Sequence, residues 1–210
     1  MLLTAADIRA LDRQRRAALI NSITGFKPAN LVGTVDKEGN TNLAIMSSLV
    51  HIGAAPPLLA LVLRPDTSER HTLTNIRNLG SYTINHVAKA FIGAAHQTSA
   101  RYPKDRSEFA ATGLSEQWHP GCAAPFVAEA AVKIGMQLEE EHALRINGTH
   151  LLIGSVTLLE LPESALTEQG TLDPAQAEST ALAGLDTYYE ARRLQRFAYA
   201  KPDTEPQPID

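Results

Sequence analysis

The apolar positions of this chain change period several times, and each change marks an element. Ile8, Leu11, Ala18 and Leu19 recur at helical spacing, while Arg9, Asp12, Arg13, Arg15 and Arg16 stay polar; Thr4 and Asp7 stand ahead of them as an N-cap and its third-position acid. This pattern predicts one amphipathic helix over residues 5–22, with the arginines on a solvated face. Gly25 and Pro28 then break it. Residues 30–35 and 41–50 read as two strands of a hairpin around the Asp36-Lys-Glu-Gly-Asn40 loop, where Gly39 suits the left-handed position. Pro56-Pro57 imposes extended backbone ahead of 58–63, a continuous apolar run of the kind found in strands buried on both faces.

Farther along, Leu73, Ile76 and Leu79 give a helix over 68–79 that ends at Gly80, and 81–85 is a short strand. An Ala-rich helical stretch at 88–97 and a short helix at 106–111 precede two long strands, 126–139 and 150–161. From Pro162 to about 183 the periodicity is lost in Glu, Gln, Thr, Ser and Ala, which predicts an excursion over the surface. A last strand at 194–200 runs into a Pro-rich, frayed tail. No internal repeat is present. Six or seven strands at hairpin spacing with few helices predict a mainly β protein, an antiparallel barrel closed to avoid exposed edges, with peripheral helices. The expected division is an N-terminal helix over 1–25, the barrel over 26–162, and a C-terminal extension over 163–210 packing on the barrel or on a second subunit.

Composition narrows the function. The 210 residues are 44% apolar and 20% charged, enough to fold around a core without disulfides or structural metal. Nineteen Lys and Arg against 23 Asp and Glu give a net charge of −4, so no basic stripe for nucleic acid is present. No apolar run is long enough to span a bilayer, and the first residues lack the basic start of a secretory signal. The single Cys122 has no internal disulfide partner and reads as a small loop residue; the expected location is the reducing cytoplasm.

The common catalytic motifs are absent: no nucleophile elbow, no dinucleotide glycine motif, no Walker loop and no His-Glu-x-x-His. Glu139 and His142 have Glu-x-x-His spacing, but they end a predicted strand and stand without a second copy, so no metal is expected. Four segments set polar residues at the ends of apolar strands. Asn42-Leu-Ala-Ile-Met-Ser-Ser-Leu49 could offer hydroxyls and free N–H groups to a flat polar ligand edge, or could simply be a strand with two serines facing solvent. Arg64 and the hydroxyls of 67–74 precede a helix and could seat a phosphate on its free N–H groups, or merely cap it. Asn85 and His86 end a buried strand, and Asn147-Gly-Thr-His150 opens another.

Taken in order, Asn30-Leu-Val-Gly-Thr-Val35, Gly39-Asn-Thr-Asn-Leu-Ala44, Ser47-Ser48, Pro56-Pro57, Thr72-Leu-Thr-Asn-Ile76, Gly80-Ser-Tyr-Thr-Ile-Asn85 and Gly148-Thr-His150 resemble the flavin reductase-like family over residues 27–161. The resemblance implies an FMN-binding split β-barrel of Greek-key type. It implies that Met46, Ser47, Ser48 and Leu49 lie along the isoalloxazine, that Arg64 and Thr72 hold the ribityl phosphate, and that Asn85 and His86 sit near the flavin. His150 would face the nicotinamide side. The implied activity is an NAD(P)H-dependent flavin reductase, which passes hydride from NADH or NADPH to N5 of FMN and then electrons to a second acceptor, small molecule or protein. No protein acid or base is needed for that transfer, so no catalytic residue is expected. A homodimer with flavin near its interface is implied as well. A non-catalytic flavin-binding electron carrier and a pyridoxamine-phosphate-oxidase-like enzyme are the alternatives on the same barrel plan.

Overall fold

A computed structural model describes residues 1–65 and 71–209. Where one helix was expected, two form: α1 (Ala5–Ala10) and α2 (Arg13–Ser22). The reason lies in two overlapping caps. Thr4 and Asp7 form a reciprocal capping box on α1, and Asp12 accepts from the Arg15 N–H to start α2 afresh. Leu11 is thereby forced extended, and Arg16 Nη1 donates back to the carbonyls of Arg9 and Leu11 that the break leaves open. Neither helix buries a residue.

The strands follow as β1 (Lys27–Pro28), β2 (Asn30–Val35), β3 (Thr41–Met46), β4 (Leu49–Ala54) and β5 (Pro57–Leu63). The expected return strand 41–50 is therefore two strands, broken at Ser47-Ser48, and Pro56 lies in the turn between β4 and β5 rather than in a leading extension. α3 (His71–Leu79) precedes β6 (Ser81–His86); the expected start of α3 at Ser68 lies outside the described residues. A 3-10 turn at Lys89–Phe91, α4 (Ile92–Gln97) and α5 (Glu108–Thr112) fill the middle, with the short pair β7 (Glu116–Gln117) and β8 (Phe126–Val127). β9 (Lys133–Ala143) and β10 (His150–Glu160) are the longest strands. The expected strand 126–139 is interrupted after Val127. β11 (Thr180–Ala183) and β12 (Thr187–Glu190) form a three-stranded sheet with β1, and β13 (Arg196–Phe197) pairs with β14 (Pro208–Ile209) in the tail.

Seven strands share one sheet in the order β3-β2-β6-β9-β10-β5-β4. Every pairing in it is antiparallel. β3 and β4 are its two edges, yet they are consecutive in the chain. A flat sheet of that many strands is about 29 Å wide, whereas the Ser47-Ser48 link spans at most about 11 Å. The sheet must therefore curl until its edges meet, and Ser47-Ser48 is the seam. Ser48 locks that closure: its hydroxyl donates to the Val62 carbonyl at 2.6 Å, and the Val62 N–H donates to the Ser48 carbonyl at 3.2 Å.

Inside the barrel Val32, Leu61, Leu63, Tyr82, Ile84, Met136 and Leu152 make the main core. Leu73 and Ile76 of α3 belong to that core, so α3 closes the end where β2 runs out and β3 begins. Ala165 and Ala177, with Leu161 and Leu172 against them, join it from the segment after β10. The stretch expected to wander over the surface is thus woven into the core. Its burial rests on small alanines at irregular spacing, which leave no periodic trace. A second cluster, with Leu31, Leu43, Phe91, Phe109 and Leu182, packs α4, α5 and β11 on the outside. No helix of the described residues is long and apolar enough to cross a membrane.

Candidate functional site

The site is built around the seam. On β3, the outward N–H groups of Leu43 and Ile45 are taken by Glu108 Oε2 and Thr98 Oγ1, both at 2.9 Å, so helices α4 and α5 blunt this sheet edge with side chains. Burial raises the Glu108 carboxyl above its usual range, while the Leu43 N–H opposes that rise. Ser47 is next in this outward series. Neither its N–H nor its hydroxyl has a partner among the described residues, and it is half-buried. Two donors therefore sit on the edge of an apolar wall formed by Met46 and Leu49, both packed against the barrel core.

The strand register extends this wall inward. Met46 faces Asn30, and Asn30 faces His86, so the three form one row on the inner face with Val32 and Ile84. Asn30 is fully buried, and its Oδ1 is the one buried side-chain polar atom without a hydrogen bond among the described residues. His86 Nδ1 lies 2.8 Å from Ser179 Oγ. Burial pushes its imidazole down to about 4, so the ring is neutral at pH 7.

On the other side of the seam, β5 carries Val62 to Ser48 and ends at Leu63, opposite His150 on β10, with Arg64 next in the chain. Arg64 is exposed and has no partner among the described residues. Gly148, at φ 71°, brings its loop so near the next residue that a Cβ there would sit 3.4 Å from Pro65. The fold thus gathers Ser47, Ser48, Arg64 and His150 along the seam and β5. His150 Nδ1 lies 2.7 Å from Glu141 Oε1, and Arg77 grips the same carboxylate with two hydrogen bonds of 2.6 and 2.9 Å. The Arg77 bonds, with help from His150 against burial, hold the Glu141 carboxyl below its usual range.

Two expected ligand contacts lie elsewhere. Asn85 has no exposed surface; its amide donates to the Leu31 carbonyl and Thr83 Oγ1, and its Oδ1 accepts from the Val127 N–H at 3.0 Å. Strand alternation turns Asn85 to the outer face, opposite Lys133, under the 122–130 segment. Thr72 is buried, and its hydroxyl accepts from Asn42 Nδ2 at 3.0 Å within a network that includes Thr34 and Asn75. These two side chains stitch strands and helix together rather than facing open space. Cys122 is buried beside Ser81, and Glu139 accepts from Ser155 while His142 pairs with Glu140. No group of His, Cys, Asp and Glu among the described residues is arranged to hold a metal.

Sequence reasoning missed Asn30, Arg77, Glu141 and Ser179. Asn30 looked like the boundary residue of a strand, and Glu141 stood in the polar run Glu139-Glu-Glu-His142, which reads as solvent-facing. Only the register of β9 on β10 shows that Glu141 turns inward to His150.

The sequence profile of the flavin reductase like domain matches residues 26–190. The chain therefore belongs to the flavin reductase-like family. Among solved structures it is similar to a Shewanella frigidimarina chain assigned as a flavin reductase with split barrel domain, at 46% identity and a TM-score of 0.92, covering 95% of this chain and all of that one. It also shares the fold of nitrilotriacetate monooxygenase component B from Bacillus cereus (23% identity, TM-score 0.82, covering 92% and 97%). The NADH:FAD oxidoreductase SgcE6 of Streptomyces globisporus has the same fold at 13% identity, with a TM-score of 0.68 and coverage of 92% and 98%. The barrel closed at Ser47-Ser48 is a split barrel, as in the solved Shewanella frigidimarina structure.

A flavin asks for a flat apolar wall, donors for the oxygens and nitrogens of its ring edge, and a cation for its phosphate. The part-exposed Met46 and Leu49 would edge the first, and Ser47 and Arg64, which have no partner among the described residues, would offer the second and the third. The residues present fit the group.

Proposed function

We propose that the chain is an FMN-binding, NAD(P)H-dependent flavin reductase. The observation that carries this reading is the seam, where the donors of half-buried Ser47 and exposed Arg64 have no partner among the described residues, while all but one of the buried side-chain polar atoms of those residues are paired. Bound FMN supplies the hydride-accepting and electron-donating chemistry; the protein binds, orients and shields it. Met46 and Leu49 give the ring its apolar support, Ser47 fixes its polar edge, and Arg64 neutralises the phosphate. Thr72 and Asn85 support the site from within the fold. His150 faces the donor side, where NADH or NADPH would lie. A homodimer completes the reading: α1 and α2 bury nothing within the chain, and Val50 and Ile52 on β4 are 52% and 47% exposed.

The test is an anaerobic absorbance spectrum of the FMN-loaded protein before and after NADH and NADPH. Bleaching of the flavin bands by either nucleotide is expected, and the faster one names the donor. Bands that bleach only with dithionite would replace this reading with that of an electron carrier.

A further inference from the structure

His150 is 9% exposed, so nearly all of its ring is enclosed. Its Nδ1 faces Glu141 Oε1 at 2.7 Å. A carboxylate only accepts hydrogen bonds, so the proton between them resides on Nδ1. Arg77 Nη2 also lies 3.3 Å from Nδ1, but it donates to Glu141 Oε1 at the shorter distance of 2.6 Å, so its role toward the ring is to brace the carboxylate. The bidentate Arg77–Glu141 pair fixes the plane of that carboxylate as well as its charge. Glu141 is kept ionised into the acid range, chiefly by the Arg77 hydrogen bond. The other ring nitrogen, Nε2, has no hydrogen bond among the described residues. Since Asn30 Oδ1 is the one fully buried unpaired side-chain atom among them, Nε2 reaches accessible surface. In the sheet His150 stands opposite Leu63, the last residue of β5, and Arg64 follows directly in the chain.

We propose that Glu141, braced by Arg77, is a positioning residue: it takes the Nδ1 proton, fixes the tautomer of His150, and presents Nε2 as an acceptor to an N–H donor on the reducing ligand, the carboxamide of a reduced nicotinamide. The inference rests on the flavin-reductase reading for its ligand, but not for its tautomer. Among the described residues, the charged groups within hydrogen-bond reach of the ring are Glu141 from β9 and Arg77 from α3. No proton transfer to or from His150 is required; the ring sets the pose of the donor, and the second-site carboxylate sets the ring.

Long-range proton–nitrogen NMR of the purified protein, at about pH 8 where an ordinary imidazole is neutral, reads the tautomer directly. The wild type is expected to show His150 protonated on Nδ1, and Glu141→Ala to move that proton to Nε2. In NADH oxidation by the FMN-loaded protein, Glu141→Ala should lower kcat/KM by about tenfold, with FMN affinity unchanged. Glu141→Gln, which keeps the shape and one acceptor, should recover part of both signals and covers the case in which Ala disturbs folding. A wild-type His150 protonated on Nε2, a tautomer unmoved by Glu141→Ala, or an unmoved kcat/KM would overturn the proposal. Absence of NADH oxidation in the wild type would instead overturn the reductase reading, while the tautomer result still decides the role of Glu141.

Discussion

Two polar regions of the barrel look alike in composition and behave oppositely. On the covered wall, Thr83, Asn85 and Lys133 lie beneath the 115–130 segment. There Thr83 donates to the Pro125 carbonyl, Asn85 uses its whole amide, and Lys133 pairs with Glu160 at 2.5 Å, which in turn takes His119. Burial alone would raise Glu160, but the bonds from Lys133 and His119 outweigh it and hold the carboxyl below its usual range. Even the close approach of backbone is used, because a Cβ on Gly33 would collide with the Pro125 carbonyl and Thr83 Oγ1. At the seam, by contrast, the donors of Ser47 and Arg64 have no partner among the described residues. Both regions carry polar residues in apolar surroundings; what separates structure from function is whether those groups are already paired.

The comparison can be broken most severely at Asn85. Asn85→Ala removes three buried hydrogen bonds and leaves the Val127 N–H without its acceptor, so it should cost about 3 kcal/mol in denaturant unfolding. The flavin affinity of the folded fraction should stay within twofold of wild type. A stable variant with lost flavin binding would move Asn85 from the wall to the site.

The next effect is pH-dependent and belongs to His86. Its folded-state value of about 4 lies below the ordinary 6.5, so between those values the unfolded chain binds a proton that the folded chain refuses. Stability from this group is complete above about 6.5 and is lost as the pH falls, by about 2 kcal/mol from pH 6.5 to 5. His86→Gln should flatten that slope in urea unfolding across the same window. An unchanged slope would mean that His86 titrates alike in both states.

The sequence already showed much of the barrel. The strands at 30–35, 58–63, 81–85 and 150–161 announced themselves by apolar runs between turn residues; the first has the expected bounds and each of the others differs by one residue at one end. The break at Ser47-Ser48 was invisible, because two serines continue an extended pattern; it is imposed by closure of the barrel, a property of strand order and not of local propensity. The site was partly legible for the same reason. Ser47, Ser48, Arg64 and His150 were noticed as polar residues at strand ends, and topology brings them together. Asn85 and Thr72 carry the same residue chemistry, but alternation along β6 and the packing of α3 turn them into the structure. The Arg77–Glu141–His150 clamp depends on register between β9 and β10, including a bulge near Ile153, which no pattern along the chain encodes.

The most direct test of the open seam is an FMN titration, read by quenching of flavin fluorescence, of the wild type against Arg64→Ala. Arg64 is exposed and has no partner among the described residues, so its loss should leave the melting temperature unchanged. The account predicts FMN binding weakened by about tenfold, the loss of one charge-assisted contact to phosphate. Equal affinity in the two proteins would contradict it, and would place the flavin phosphate away from the end of β5.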